Sequence, residues 1–315
     1  MRTTYSLFHW ANILYLLIAG ASIAIAIRPA SAPAGDLPPW LDPAAAMILA
    51  QIGLILIPAI LFVWLTRQPI RTTFKLHPLS YGTGVRCFLI GLLCWPLFVA
   101  LSNLSYLLLA LFNPGQTSNP ANAVTSSGSP WIAFLGIVLV APVFEELLFR
   151  GVLLSAYEEH KGVHSIWMVG LLFAFYHFSP DQFLGPLFIG LLAGWVVYRT
   201  RSVWAGVLVH VGTNLLGGLF QLLLVLAVPG GVEVTLPEAA GQGVDILLTM
   251  WMGVLVWGSI SLILLVPILF LVRNINKRYP MPSQPETHLE LKTTWSYALA
   301  VLGMVTYFGY RLFQA

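Results

Sequence analysis

Apolar runs of about 20 residues, broken by short polar stretches, recur from one end of the chain to the other, each long enough to cross roughly 30 Å of hydrocarbon as a helix. They lie at 7–27, 44–66, 86–113, 131–155, 164–178, 182–199, 202–228, 244–272 and 295–313. The pattern predicts an all-α, polytopic transmembrane helix bundle of eight or nine helices, the fifth and sixth runs being the shortest.

Composition points the same way. Of 315 residues, 58% are hydrophobic and 9% charged, against roughly 25% charged in an ordinary soluble domain. The mean hydropathy of +0.84 fits a membrane protein better than a soluble core.

The net charge of +3 is informative only once the basic residues are placed. Arg67, Arg71, Lys75 and Arg86 lie between runs two and three, and Lys161 between four and five. Arg199 and Arg201 lie between six and seven, and Arg273, Lys277, Arg278 and Lys292 between eight and nine. These are alternate loops. The loops between them, 114–130 and 229–243, contain no Lys or Arg, so the positive-inside bias puts the N-terminus in the cytoplasm and the C-terminus outside, with Arg28 and Arg311 as exceptions.

The first run has a second reading, because Met1-Arg2, the apolar stretch and Ala30-Ser31-Ala32 resemble a secretory signal with its cleavage site. The run exceeds the usual 7 to 15 residues or so of such signals and contains His9 and Trp10, which favours a retained helix. Cys87 and Cys94, seven apart on one helix, sit about 10 Å from each other along its axis and read as packing residues. No internal repeat and no soluble domain is evident. The chain divides into N-terminal transmembrane helices (1–130), a central segment (131–228) and C-terminal transmembrane helices (229–315), all one membrane domain.

Against this background, Glu145-Glu146-Leu-Leu-Phe-Arg150 is the outstanding chemical feature. A carboxylate near the bilayer centre costs roughly 2.5 to 3.5 kcal/mol or more, so it persists where a partner or a water-filled cavity holds it. Glu146 and Arg150 stand at i and i+4 in the acid-before-base order that favours an ion pair. Glu145 projects about 100° away and is left free. Pro142 removes the hydrogen bond to the Val138 carbonyl, opening backbone beside Glu145. A purely structural polar cluster is the competing interpretation.

Two later runs carry polar pairs at the same spacing, Phe173 with His177 and His210 with Asn214. Each alone could be an interfacial or helix-contact residue. With a rise of about 1.5 Å per residue, Glu145, His177 and His210 lie about 15, 21 and 12 Å from their helix ends, so the three could meet near the midplane. A free carboxylate, two histidines and an amide at one depth make an acid/base and hydrogen-bonding set capable of hydrolysis.

The order Glu-Glu-x-x-x-Arg, Phe-x-x-x-His and His-x-x-x-Asn on three hydrophobic segments resembles the CAAX protease and bacteriocin-processing (Abi) family of intramembrane proteases. Glu145, Glu146, Arg150, Phe173, His177, His210 and Asn214 carry the resemblance, which covers about 131–228. The first three helices agree only in hydropathy, and the last two have no motif to compare.

The resemblance implies intramembrane peptide-bond hydrolysis. Glu145 would be the general base, His177 would hold and polarise the water, and His210 and Asn214 would donate to the oxyanion. Glu146, Arg150 and Phe173 would support the site. The expected partners are the lipid bilayer and a membrane-associated peptide or protein substrate, not nucleic acid, and the expected location is a bacterial cell membrane.

A metal-free mechanism without cofactor is preferred. Zinc is the alternative, with Glu145, His177 and His210 as ligands, although the His-Glu-x-x-His spacing is absent. Intramembrane Glu, His and Arg also suit a transporter, and Gly190 and Gly194 would allow its close helix contacts, but no repeated half is visible. A scaffold or self-immunity protein without catalysis is the third reading.

Overall fold

The computed structural model describes residues 2–26, 41–112, 129–227, 242–283 and 294–313. Among them are ten helices and no strand. They are α1 (Arg2–Ala26), α2 (Pro43–Leu65), the single turn α3 (Ile70–Thr73), α4 (Tyr81–Phe112) and α5 (Pro130–Lys161). After them come α6 (His164–Tyr176), α7 (Leu184–Thr200), α8 (Val203–Ala227), α9 (Gln242–Arg278) and α10 (Trp295–Phe313). The loops 114–130 and 229–243 lie outside the described residues apart from the last two positions of each, and so do Arg28, Lys292 and Ala30-Ser31-Ala32.

Six helices, α1, α2, α4, α5, α8 and α9, are long and apolar enough to cross a membrane. The polytopic all-α bundle is therefore present, with fewer full-length spans than apolar runs. Helices α6 and α7 have only 13 and 17 residues, short of the roughly 20 needed to span. Neighbouring helices surround them and bury Val169, Leu172, Phe173, Ala193 and Val197. A short helix is stable at membrane depth when protein covers its ends.

Helix α4 is the central post, with α8 and α9 packed along it. The α4–α8 crossing needs glycine on both sides, since a Cβ on Gly91 would run into the backbone of Val209 and one on Gly212 into the carbonyl of Phe88. Thr213 Oγ1 donates to Gly91 O at 3.1 Å across the same contact. Close backbone approach of this kind is how membrane helices associate without a hydrophobic driving force between them. It fixes the rotation of α8, which carries His210 and Asn214.

Buried polar bonds tie the remaining helices together. Tyr157 on α5 donates to Asn12 on α1, and Tyr15 donates to Leu172 O on α6 at 3.0 Å. At one end of the bundle, Glu158 pairs with Lys75 at 3.1 Å and with Arg201 at 2.8 Å, while Arg199 donates to Tyr279 O at 2.6 Å. Burial pushes the Lys75 ammonium below its usual pKa, and the Glu158 carboxylate works against that shift. These contacts gather the turns after α2, α5, α7 and α9 at a single end of the bundle, and those turns are the alternate basic loops of the sequence.

Candidate active site

The site is built on helix α5, which departs from regular α geometry twice. Wider π-turns occupy Gly136–Val140 and Leu147–Leu153, on either side of the two glutamates. The first is coupled to Pro142. Ala141 N–H bonds back five residues to Gly136 O, so on the same ladder the next acceptor is Ile137 O, and Pro142 has no N–H to offer it. Asn214 Nδ2 donates to that carbonyl from α8 at 3.0 Å. The freed carbonyl is thus that of Ile137 rather than Val138, because the π-turn shifts the register by one residue. A buried backbone acceptor is satisfied by a side chain from a neighbouring helix, as membrane depth requires.

Glu146 and Arg150 form the expected ion pair, with Nη1 to Oε1 at 2.7 Å and both side chains fully buried. Arg150 also donates from Nη2 to Gly190 O at 2.8 Å, and its guanidinium lies 4.5 Å from the Phe173 ring centroid. Glu146 Oε1 has a second partner, His210 Nδ1 at 3.2 Å. Helix α8 makes room for this carboxylate at Gly206, where a Cβ would collide with Glu146 Oε2. Helix α7 approaches closely at Gly190, whose Cβ would press on Gly170 of α6. The pair therefore joins α5 to α7 and α8 through a buried charge network.

Glu145 is on a different face and is 7% exposed. Its Oε1 accepts from Gln51 Nε2 of α2 at 3.4 Å. Its Oε2 and the Gln51 carbonyl oxygen are both buried without a hydrogen-bond partner among the described residues. His177 sits at the C-terminal end of α6, with Nδ1 2.9 Å from Phe173 O. A carbonyl only accepts, so Nδ1 carries the proton and the neutral ring presents Nε2 as an acceptor. Phe173 packs edge-on against both histidines, with centroids 4.9 Å from His177 and 5.6 Å from His210.

Glu145, Phe173, His177, His210 and Asn214 line one cavity of about 240 Å³, together with Gln51, Met47 and Phe98. That exceeds the roughly 30 Å³ of a water molecule several times over. Glu146 and Arg150 lie behind this lining as support. Among the described residues no three His, Cys, Asp or Glu side chains stand close enough to hold a metal ion.

Gln51, Gly206 and Ile137 belong to the site although the sequence motifs do not mark them. For Gln51 a signal existed, since it is the only amide or charged side chain between Pro43 and Leu65, and a polar group in a span is a functional candidate by default. Gly206 and the Ile137 carbonyl gave none.

Comparison with known proteins gives the same segment. Residues 127–216 match the family model "Type II CAAX prenyl endopeptidase Rce1-like". The chain is also 31% identical over 103 residues to the "UPF0177 protein in abiGi 5'region" of Lactococcus lactis subsp. cremoris. That match covers 32% of this chain and spans only 40% of the relative's length. No solved structure matches. Residues 127–216, which hold all three motifs and much of the lining of the cavity that contains Glu145, are thus similar to the Rce1-like type II CAAX prenyl endopeptidases.

Proposed function

We propose that this protein is an intramembrane endopeptidase that hydrolyses a peptide bond in a membrane-associated peptide or protein. The observation that carries the reading is Glu145, a buried carboxylate whose Oε2 has no hydrogen-bond partner among the described residues, lining one cavity with His177, His210 and Asn214. Glu145 takes a proton from water as the water oxygen bonds to the scissile carbonyl carbon. His177 Nε2 accepts the other O–H and holds the water in place.

Charge then grows on the carbonyl oxygen, where His210 and Asn214 donate. Asn214 uses its second amide hydrogen, the first being committed to Ile137 O. His210 Nδ1 is 3.2 Å from Glu146 Oε1, which fixes the ring, and Nε2 is the nitrogen left to face the oxyanion. The C–N bond breaks as Glu145 returns the proton to the amine nitrogen. Comparing the peptides in membranes that contain wild-type protein or Glu145→Gln tests the reading. At least one peptide bond should be cut only with the wild type, and identical profiles would overturn it.

The role of the histidines is tested by metal content. Purified active enzyme should work without stoichiometric zinc, and Asn214→Ala should slow turnover much as His210→Ala does. About one zinc per active chain, lost in His177→Ala and His210→Ala but kept in Asn214→Ala, would establish the zinc alternative instead.

The basic end of the bundle is assigned to the cytoplasm on the positive-inside bias, in a cell membrane. Cysteines placed in 114–130 and 229–243 should then react with an impermeant reagent on intact cells, and cysteines in 67–80 only after permeabilisation. The reverse pattern would invert the topology.

A further inference from the structure

Gln51 stands outside the segment that matches the family model, yet it touches the proposed base. Its Nε2 is 3.4 Å from Glu145 Oε1. The reverse amide orientation would set two acceptor oxygens against each other, so the N–H of Gln51 faces the carboxylate. The contact is long, as hydrogen bonds in substrate-free active sites often are. With Oε1 held, Oε2 is the oxygen of Glu145 left to receive a proton. The carbonyl oxygen of Gln51 is buried beside the same cavity and has no partner among the described residues. Buried acceptors are nearly always satisfied, so whatever enters should bring a donor to it.

The attacking water cannot be that donor, because its two hydrogens are already assigned to Glu145 and His177. The substrate main chain can. An extended peptide in a membrane has lost its helical hydrogen bonds and must find acceptors for its N–H groups. No strand is present among the described residues to provide them. Met47 and Phe98, which line the same cavity, are apolar.

We propose that Gln51 anchors the substrate by accepting a main-chain N–H next to the scissile bond, while its own N–H fixes the carboxylate of Glu145. One amide thereby sets the distance between the peptide and its base. This rests on the endopeptidase reading above.

The test uses the peptide whose cleavage depends on Glu145, made in the native form and in forms with one amide N–H at a time replaced by an ester oxygen. Gln51→Met keeps side-chain length and removes both hydrogen bonds. It should raise KM and lower kcat, for a loss of about 10- to 100-fold in kcat/KM at unchanged thermal stability. Gln51→Glu keeps the acceptor but sets a second carboxylate against Glu145, so kcat should fall with KM nearly unchanged. One ester position should cost the wild type about 10-fold and cost Gln51→Met nothing further. Wild-type kinetics in Gln51→Met, or equal sensitivity of both enzymes to every ester, would overturn the anchor and leave Glu145 as base. Full activity in Glu145→Gln would overturn both.

Discussion

Glu145→Gln is expected to lower turnover by about 10²- to 10⁴-fold, the range a general base supplies, in a protein that unfolds at the wild-type temperature. The change removes the charge and the proton acceptor but keeps an oxygen for the Gln51 contact, the one hydrogen bond Glu145 makes among the described residues. Glu146→Gln differs, because that carboxylate serves Arg150 and His210 together. It should lower yield and thermal stability as well as activity. Purified variants measured side by side by peptide cleavage and thermal unfolding in detergent would decide it. Full turnover in Glu145→Gln would sink the base assignment, and a swapped pattern would exchange the two roles.

The largest loss of stability is expected at Arg150. Replacing it with Met leaves the Glu146 carboxylate buried with only His210 opposite, strips the donor from Gly190 O, and removes the cation over Phe173. Breaking a buried pair by removing one partner typically costs about 3–5 kcal/mol, chiefly because the remaining charge is uncompensated. The double variant Glu146→Gln with Arg150→Met removes both charges and should be less destabilised than the two single changes summed, by about 0.5–3 kcal/mol. Simple additivity would show that the pair is not coupled, and that the single losses come from packing around each side chain.

Which properties were legible in the sequence follows from the range of the interactions involved. Lipid imposes its demand locally, on each run of about 20 residues, so the helices, their order and the alternation of basic loops could be read directly. The pairing of Glu146 with Arg150 is also local, since it needs one turn of a single helix. The lengths of α6 and α7 were less legible, because whether a short apolar helix spans depends on what covers its ends.

The site itself is mixed. That Glu145, His177, His210 and Asn214 are polar at membrane depth is a property of the sequence. That Asn214 satisfies Ile137 O depends on a π-turn beside Pro142 and on the rotation of α8, set by its glycine contacts with α4. The second bond from Glu146 to His210, the room that Gly206 leaves for it, and the approach of Gln51 to Glu145 join residues 64, 60 and 94 positions apart. The sequence by itself determined which groups had to be sheltered from lipid. Only the packing of helices decided which partners shelter them, because hydrogen bonds and charges between helices act over a few ångströms in space, whatever the separation along the chain.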